Sequence, residues 1–461
     1  MADYDVIVIG AGPAGIFAAL ELNKLVPGCK VMLMDSGPAI EKRACPARTL
    51  GKCAHCTPCR IMNGWAGAGA FSDGKLSLSH EVGGNLTDYL PVDEVQSLIR
   101  YADENYYLHF GAPKTVYGLN DKFTEKIAYE AKKNNIQLIP CPVRHMGTEY
   151  SFEVLREMYR FLSAQPGFTF LEYTTADTVE TEDGRACGVW AVNQQGERRF
   201  YSADYVVAAP GRGGAEWLAR VAKENEIQTV NNEVDIGVRV EVPNAVMDCL
   251  TKNLYEAKLV YYSDTFENKV RTFCMNPYGI VVNENTNGIV TVNGHSYDSP
   301  DLRTENTNFA LLVAKHFSEP FKDSNGYGES IARLSNMLGG GVIVQRFGDL
   351  TRGRRSTAKR IEEGFVRPTL SAEPGDLSLV LPKRILDGII EMIYALDKIA
   401  PGTANDDTLL YGVEVKFYNM EVKLDEHLET NHKGLYVIGD GSGVFRFRCC
   451  MPCPILFTSG C

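Results

Sequence analysis

Asp5-Val6-Ile7-Val8-Ile9-Gly10-Ala11-Gly12-Pro13-Ala14-Gly15 decides how this chain is read. A β-branched apolar run stops at Gly10 and a helical pattern starts at Ala14, so the glycines stand between a strand and a helix. Their spacing is G-x-G-x-x-G. The first makes a tight turn, the second lets a diphosphate approach the backbone, and the third lets the helix close on the strand. The helix N-terminus, opening with Pro13 and Ala14, then faces negative charge. A second apolar run, Val31 to Met34, ends at Asp35 and Ser36, where a carboxylate can accept a hydrogen bond from a ribose. Strand, helix, strand and acid in this order predict a dinucleotide site built from Gly10, Gly12, Pro13, Ala14, Gly15, Asp35 and Ser36.

Outward from this unit, residues 37–79 are rich in Gly, Cys and Pro with no sustained period, which predicts a long functional connection. Helical patterns follow at 93–107, 121–133 and 151–162. Runs at 168–173, 186–193 and 198–209, with Glu182-Asp183-Gly184 as a turn, read as a β-meander returning to the sheet. The last run stops at Pro210-Gly211-Arg212-Gly213-Gly214, another strand ending in a glycine-rich turn. From 225 to 400 the composition shifts toward strands with Asn, Tyr and Thr, and a helix is predicted at 385–399. The expected organisation is a nucleotide-binding domain begun by residues 1–224, with a cysteine- and glycine-rich loop at 40–79. An α+β domain is inserted at 225–400, and residues 401–461 close the first domain.

A chain of 461 residues has room for two or three domains. The net charge of −11 argues against a nucleic-acid partner, which would need a basic stripe. No run of about 18 uninterrupted apolar residues occurs, and the apolar N-terminus lacks a basic lead-in, so neither a membrane span nor a secretory leader is expected. Thirteen cysteines without an export signal point to a reducing, cytoplasmic setting, where thiols serve as core residues, metal ligands or redox groups. Ser-His-Asp, HExxH and P-loop signatures are absent from the sequence.

Far downstream, Leu435-Tyr436-Val437-Ile438-Gly439-Asp440-Gly441 is an apolar strand ending in Gly-Asp. It resembles the second flavin motif of the glutathione-reductase structural class of FAD enzymes, in which the Asp hydrogen-bonds the ribityl or phosphate region. Val206-Val207-Ala208-Ala209-Pro210-Gly211 resembles the middle motif of that class. Cys53-Ala54-His55-Cys56-Thr57-Pro58-Cys59, the stretch Gly64 to Leu76, His145 to Glu149, Gly211 to Trp217 and Gln345 to Asp349 are together similar to a group of uncharacterised bacterial FAD-dependent dehydrogenases. The resemblance runs to about Gly443. It implies FAD as the held cofactor, with Gly211, Gly439, Asp440 and Gly441 at its site.

In the stretch from Gly67 to Lys75, glycines let main-chain amides crowd an anion or a ring edge, and Ser72, Asp73 and Lys75 supply polar groups. Gly67, Gly69, Ser72, Asp73 and Lys75 are therefore candidate cofactor contacts, and Lys75 can stabilise negative charge on a reduced flavin. Cys45, Cys53, Cys56 and Cys59 are spaced so that several thiolates can converge on an iron–sulfur cluster or a zinc ion. A redox dithiol and reduced cysteines packing a loop are the other readings. Arg346, Arg352, Arg354 and Arg355 could face an anionic substrate or the phosphates of a nicotinamide nucleotide, or simply be solvated.

These readings converge on an α/β protein: a Rossmann-like three-layer FAD/NAD(P)-binding domain with an inserted α+β substrate domain. The expected activity is FAD-dependent oxidation or reduction of a small-molecule substrate, with NAD(P)H or another donor supplying the electrons. A non-enzymatic FAD-binding sensor or assembly module and a disulfide reductase are the alternatives. No proton-transfer residue is assigned. After Gly443 the resemblance stops: residues 444–461 carry bulky, basic and proline residues that resist a helix, and read as a frameshifted or truncated end.

Overall fold

The computed structural model describes residues 2–46, 56–72, 74–119, 121–230, 233–286, 288–297, 300–315, 323–418 and 420–443. The atypical tail, Cys53, His55 and Asp73 lie outside the described residues. Two compact units emerge. The first comprises Met1–Lys114, Met146–Asn232 and Tyr418–Cys461, and the second Thr115–His145 and Glu233–Phe417. The sequence reading puts the inserted segment at 225–400. The compact unit instead keeps residues 401–417 and also takes in Thr115–His145. The cause is strand pairing: Leu409–Lys416 lies beside Val234–Pro243, and Ile136–Ile139 beside Lys258–Tyr262.

In the first unit, strand β1 (Tyr4–Ile9) leads through the glycine turn into helix α1 (Pro13–Leu25) and strand β2 (Val31–Met34). Further strands are β3 (Phe168–Leu171), β4 (Thr174–Glu182), β5 (Arg185–Asn193), β6 (Arg198–Ala208) and β7 (Leu435–Val437). The parallel part runs β3-β2-β1-β6-β7, with Ile7 opposite Met32 and Val206, and Leu435 opposite Val206. β4, β5 and the start of β6 form an antiparallel meander. The expected strand at 168–173 is therefore not its first member. β3 pairs in parallel with β2, and the polar run of β4, buried through little more than Ala176 and Val179, opens the meander.

Alternation along β1 sets the layers, because successive side chains point to opposite faces of a sheet. Val6 and Val8 join a core with Ile16, Phe17 and Leu20 of α1 and with Val154, Leu155 and Met158 of helix α2 (Gly147–Ser163). Ile7 and Ile9 join another with Val179 and Val189 of the meander and with Leu218 and Val221 of helix α3 (Ala215–Glu224).

The second unit is an eight-stranded sheet ordered Glu373–Pro374, Ile343–Arg346, Leu409–Lys416, Val234–Pro243, Asn306–Lys315, Lys269–Asn276, Lys258–Tyr262 and Ile136–Ile139. Val234, Ile236, Val238, Val240 and Val242 share one apolar core with the helix Lys383–Asp397. The intervening Asp235, Arg239 and Glu241 are just as buried. Among the described residues, no helix is long and apolar enough to cross a membrane.

Candidate cofactor site

At the end of β1 the chain turns through Gly10 with φ +99°, and its amide donates to Met34 O at 2.8 Å. A Cβ on Gly10 would stand 2.2 Å from Ala209 O, and one on Gly15 2.0 Å from Gly10 O. Both positions need glycine for the fold itself. Gly12 is different. Its backbone is ordinary for a helix cap, and a Cβ there would meet nothing within 4 Å. Gly12 has no side chain with which to cap α1, the first turn holds no acid, and Pro13 brings no N–H, so among the described residues the helix mouth suits an outside acceptor.

Asp35, at the end of β2, accepts from Ala11 N (2.9 Å) through Oδ2, and from Gly37 N (2.8 Å) and Gly64 N (2.7 Å) through Oδ1. The carboxylate thus staples three pieces of main chain, leaving Oδ2 a lone pair for the expected ribose contact. Ser36 donates to Asn63 Oδ1 at 3.0 Å, so its hydroxyl serves the adjoining loop.

That loop returns to the turn. Ala66 N donates to Ala11 O at 2.6 Å. A Cβ on Gly67 would lie 3.4 Å from Gly12 Cα, and one on Gly69 3.5 Å from Pro13 Cγ. Trp65, fully buried, anchors it through Nε1 to Leu155 O (2.9 Å) and ring contacts with Tyr159 and Phe170. Ser72 closes a local turn, donating to Gly69 O and accepting from Gly74 N, and Lys75 is buried on the short strand Lys75–Ser77.

The downstream motif arrives from the other side. β7 pairs with β6, Ile438 N donates to Ala208 O at 2.9 Å, and Gly439–Ser442 forms a turn of 3-10 helix. With φ +69°, Gly439 sits so close to α1 that a Cβ would come within 2.7 Å of Ala14 Cβ. On Gly441 it would come within 2.6 Å of Pro210 Cδ. Gly211, φ +61°, has open space where a Cβ would go. The candidate glycines, 431 positions apart from Gly10 to Gly441, therefore gather at the mouth of α1.

Arg43 carries no motif, and sequence reasoning passed it by. It is 5% exposed, and its guanidinium donates to Trp65 O, Gly67 O and Ile61 O, each at 2.6 Å, and to Arg60 O at 3.2 Å. Its face lies over the Phe71 ring, 4.9 Å from the centroid. Burial pushes the guanidinium down to about 10, partly offset by the nearby Asp35 carboxylate, so it remains a cation at neutral pH.

Other expectations separate from this site. Cys45, Cys56 and Cys59 are free thiols, and among the described residues no group of three or more His, Cys, Asp or Glu side chains is placed to hold a metal ion. The arginines near 350 are largely committed to acids. Arg346 pairs with Asp407, Arg352 with Asp406 (2.8 Å) and Arg354 with Asp349 (2.7 Å), while Arg355 donates to Pro374 O. His145 ends the short strand Val143–His145 in the second unit, and its Nε2 lies 2.9 Å from Tyr255 Oη.

Comparison with known proteins adds three findings. No curated protein matches the sequence. Similar solved structures include a quinol-fumarate reductase with menaquinol molecules (13% identity, TM-score 0.44, 99% of this chain and 69% of that one). Pyridoxine 4-oxidase from Mesorbium loti gives 11%, 0.44, 99% and 99%, and an R554A formate oxidase from Aspergillus oryzae RIB40 gives 12%, 0.45, 100% and 98%. Likenesses of this size assign no chemistry. Residues 233–417 match the family described as "FAD-dependent protein, C-terminal domain-like", and they coincide with the longer segment of the second unit.

Proposed function

We propose that this chain is a FAD-dependent oxidoreductase whose first unit holds the cofactor and whose second unit serves a small-molecule substrate. One observation carries the reading: Gly12 has no structural need to be glycine, yet it opens an uncapped helix walled by Gly67. A diphosphate is the group that such a mouth suits. Gly10 and Gly15 shape the turn, Asp35 offers Oδ2 to a ribose, and Gly439, Asp440 and Gly441 close the far side at Ala14 and Pro210. A parallel sheet with helices on one face and a meander on the other supports a Rossmann-like three-layer domain of the glutathione-reductase class. The matched family, named for FAD dependence, supports the same cofactor. When bound, FAD supplies two-electron transfer, and the protein supplies orientation and a fixed charge environment. A reduced nicotinamide nucleotide is the proposed donor, and a cytoplasmic setting accords with the free thiols.

The test is the absorption spectrum of full-length protein purified anaerobically, before and after added FAD, followed by NADH or NADPH. A flavin band at about 450 nm that bleaches on reduction is the expected result. Protein that stays colourless and takes up no FAD refutes the reading.

A further inference from the structure

We propose that Arg43 is the positioning residue of the cofactor cradle: it fixes the loop wall that faces Gly12 and gives that wall a buried positive charge. The proposal rests on the reading of the α1 mouth as a FAD site. Between Gly64 and Gly67 the backbone holds positive φ at three of four residues, Gly64 (+108°), Ala66 (+70°) and Gly67 (+52°). Ala66 gains nothing from that conformation on its own account, since a side chain disfavours it. Such a segment persists only when its surroundings over-determine it.

Two charged side chains do so from opposite poles of the peptide groups. Asp35 takes the N–H of Gly64. Arg43 takes the carbonyls of Arg60, Ile61, Trp65 and Gly67, turning them inward. Only the planar fork of arginine can span four carbonyls on two sides, whereas a lysine ammonium is a compact point donor. The last of the four belongs to Gly67, the residue lying against Gly12, so the guanidinium is one peptide away from the site. Among the described residues, its remaining donor, Nε, is buried without a partner, and none of its hydrogen bonds goes to a carboxylate. Four neutral carbonyls spread the charge, and the Asp35 carboxylate, which makes no hydrogen bond to Arg43, offsets it only in part. A diphosphate at the turn is the anion class that would complete the offset.

The experiment compares wild type, Arg43→Lys and Arg43→Gln as full-length protein stripped of flavin, with folding checked by circular dichroism. FAD and riboflavin, which lacks the diphosphate, are titrated by fluorescence quenching. The potential of bound flavin is then measured. We expect FAD to bind at least tenfold more weakly to Arg43→Gln, with Arg43→Lys recovering part of the loss and riboflavin affected less. The potential should shift as well, by about 30 mV for each tenfold difference between the oxidised and reduced forms. Should neither variant fold, hydrogen exchange on the wild type decides: amides of residues 64–67 should be protected before FAD is added. Folded variants that bind FAD like wild type at an unchanged potential overturn the role of Arg43 alone, as do freely exchanging amides in that loop. A wild type that takes up no FAD overturns the underlying reading and this proposal with it.

Discussion

Gly12 and Gly15 lie three residues apart, and alanine at each should have opposite consequences. At Gly12 the added methyl meets open space. Alanine there narrows the unfolded ensemble, which stabilises by about 0.4–1 kcal/mol, but it is a poorer cap than glycine by a similar amount. The two nearly cancel, so the stability of the flavin-free protein should change by no more than about 0.5 kcal/mol, an ordinary value for an uncrowded site. At Gly15 the methyl would stand 2.0 Å from Gly10 O and 3.2 Å from Val8 Cγ1. The first contact falls about 1.5 Å short of ordinary van der Waals separation. Relief requires α1 to lift from β1, at about 1–3 kcal/mol or more. FAD affinity, however, should fall at least tenfold in Gly12→Ala, about 1.4 kcal/mol, because the methyl occupies the approach of the diphosphate. Urea unfolding of both variants without flavin, and FAD titration of Gly12→Ala, measure the three quantities. Unchanged FAD affinity in Gly12→Ala, or a loss of stability matching that of Gly15→Ala, would refute the argument.

In the second unit, Arg239 and Glu414 form a fully buried two-bond ion pair, at 2.8 and 2.7 Å, with Lys416 Nζ 3.0 Å from the same carboxylate. Glu414→Gln should destabilise the protein by about 3–5 kcal/mol in urea unfolding, because it strands a buried cation. A change below about 1 kcal/mol would show that the pair is not buried in solution. Asp349, its side chain fully buried, predicts an acid-sensitive element. Burial opposes its charge, but hydrogen bonds from Ser356 and Arg354 and the charges of Arg346 and Arg360 outweigh burial and hold the carboxyl below its ordinary 3.8. Its contribution is therefore complete above the unfolded value and is lost as pH falls from 3.8 through the lowered folded value. Unfolding midpoints across this range should fall less steeply in Asp349→Asn; parallel curves would count against it.

Much of the first unit was legible because its signals are local. The β-branched run of β1, the glycine spacing and the acid after β2 act within some 30 residues of one another, where period and turn chemistry speak directly. The Gly439-Asp440 motif was legible only by resemblance, and its place against Ala14 depends on β7 pairing with β6. Arg43 was illegible for a physical reason. Its partners are main-chain carbonyls, which every residue has, so no side-chain pattern announces them. β4 was missed because a mostly polar run becomes a strand through its neighbour β5 rather than through its own apolar face.

Sequence alone determined the strand-turn-helix unit, the glycines that such a turn demands and the acidic net charge of the chain. Tertiary structure decided the rest, and Val234–Pro243 shows why. Its alternation of apolar with charged residues reads as a strand half in water, yet both faces are buried. Arg239 finds Glu414, and Glu241 finds Thr369, Asn306 and Tyr411, partners 65 to 175 positions away. Periodicity reports which way a side chain points. Whether water or a matching group waits there depends on chain brought back from far off.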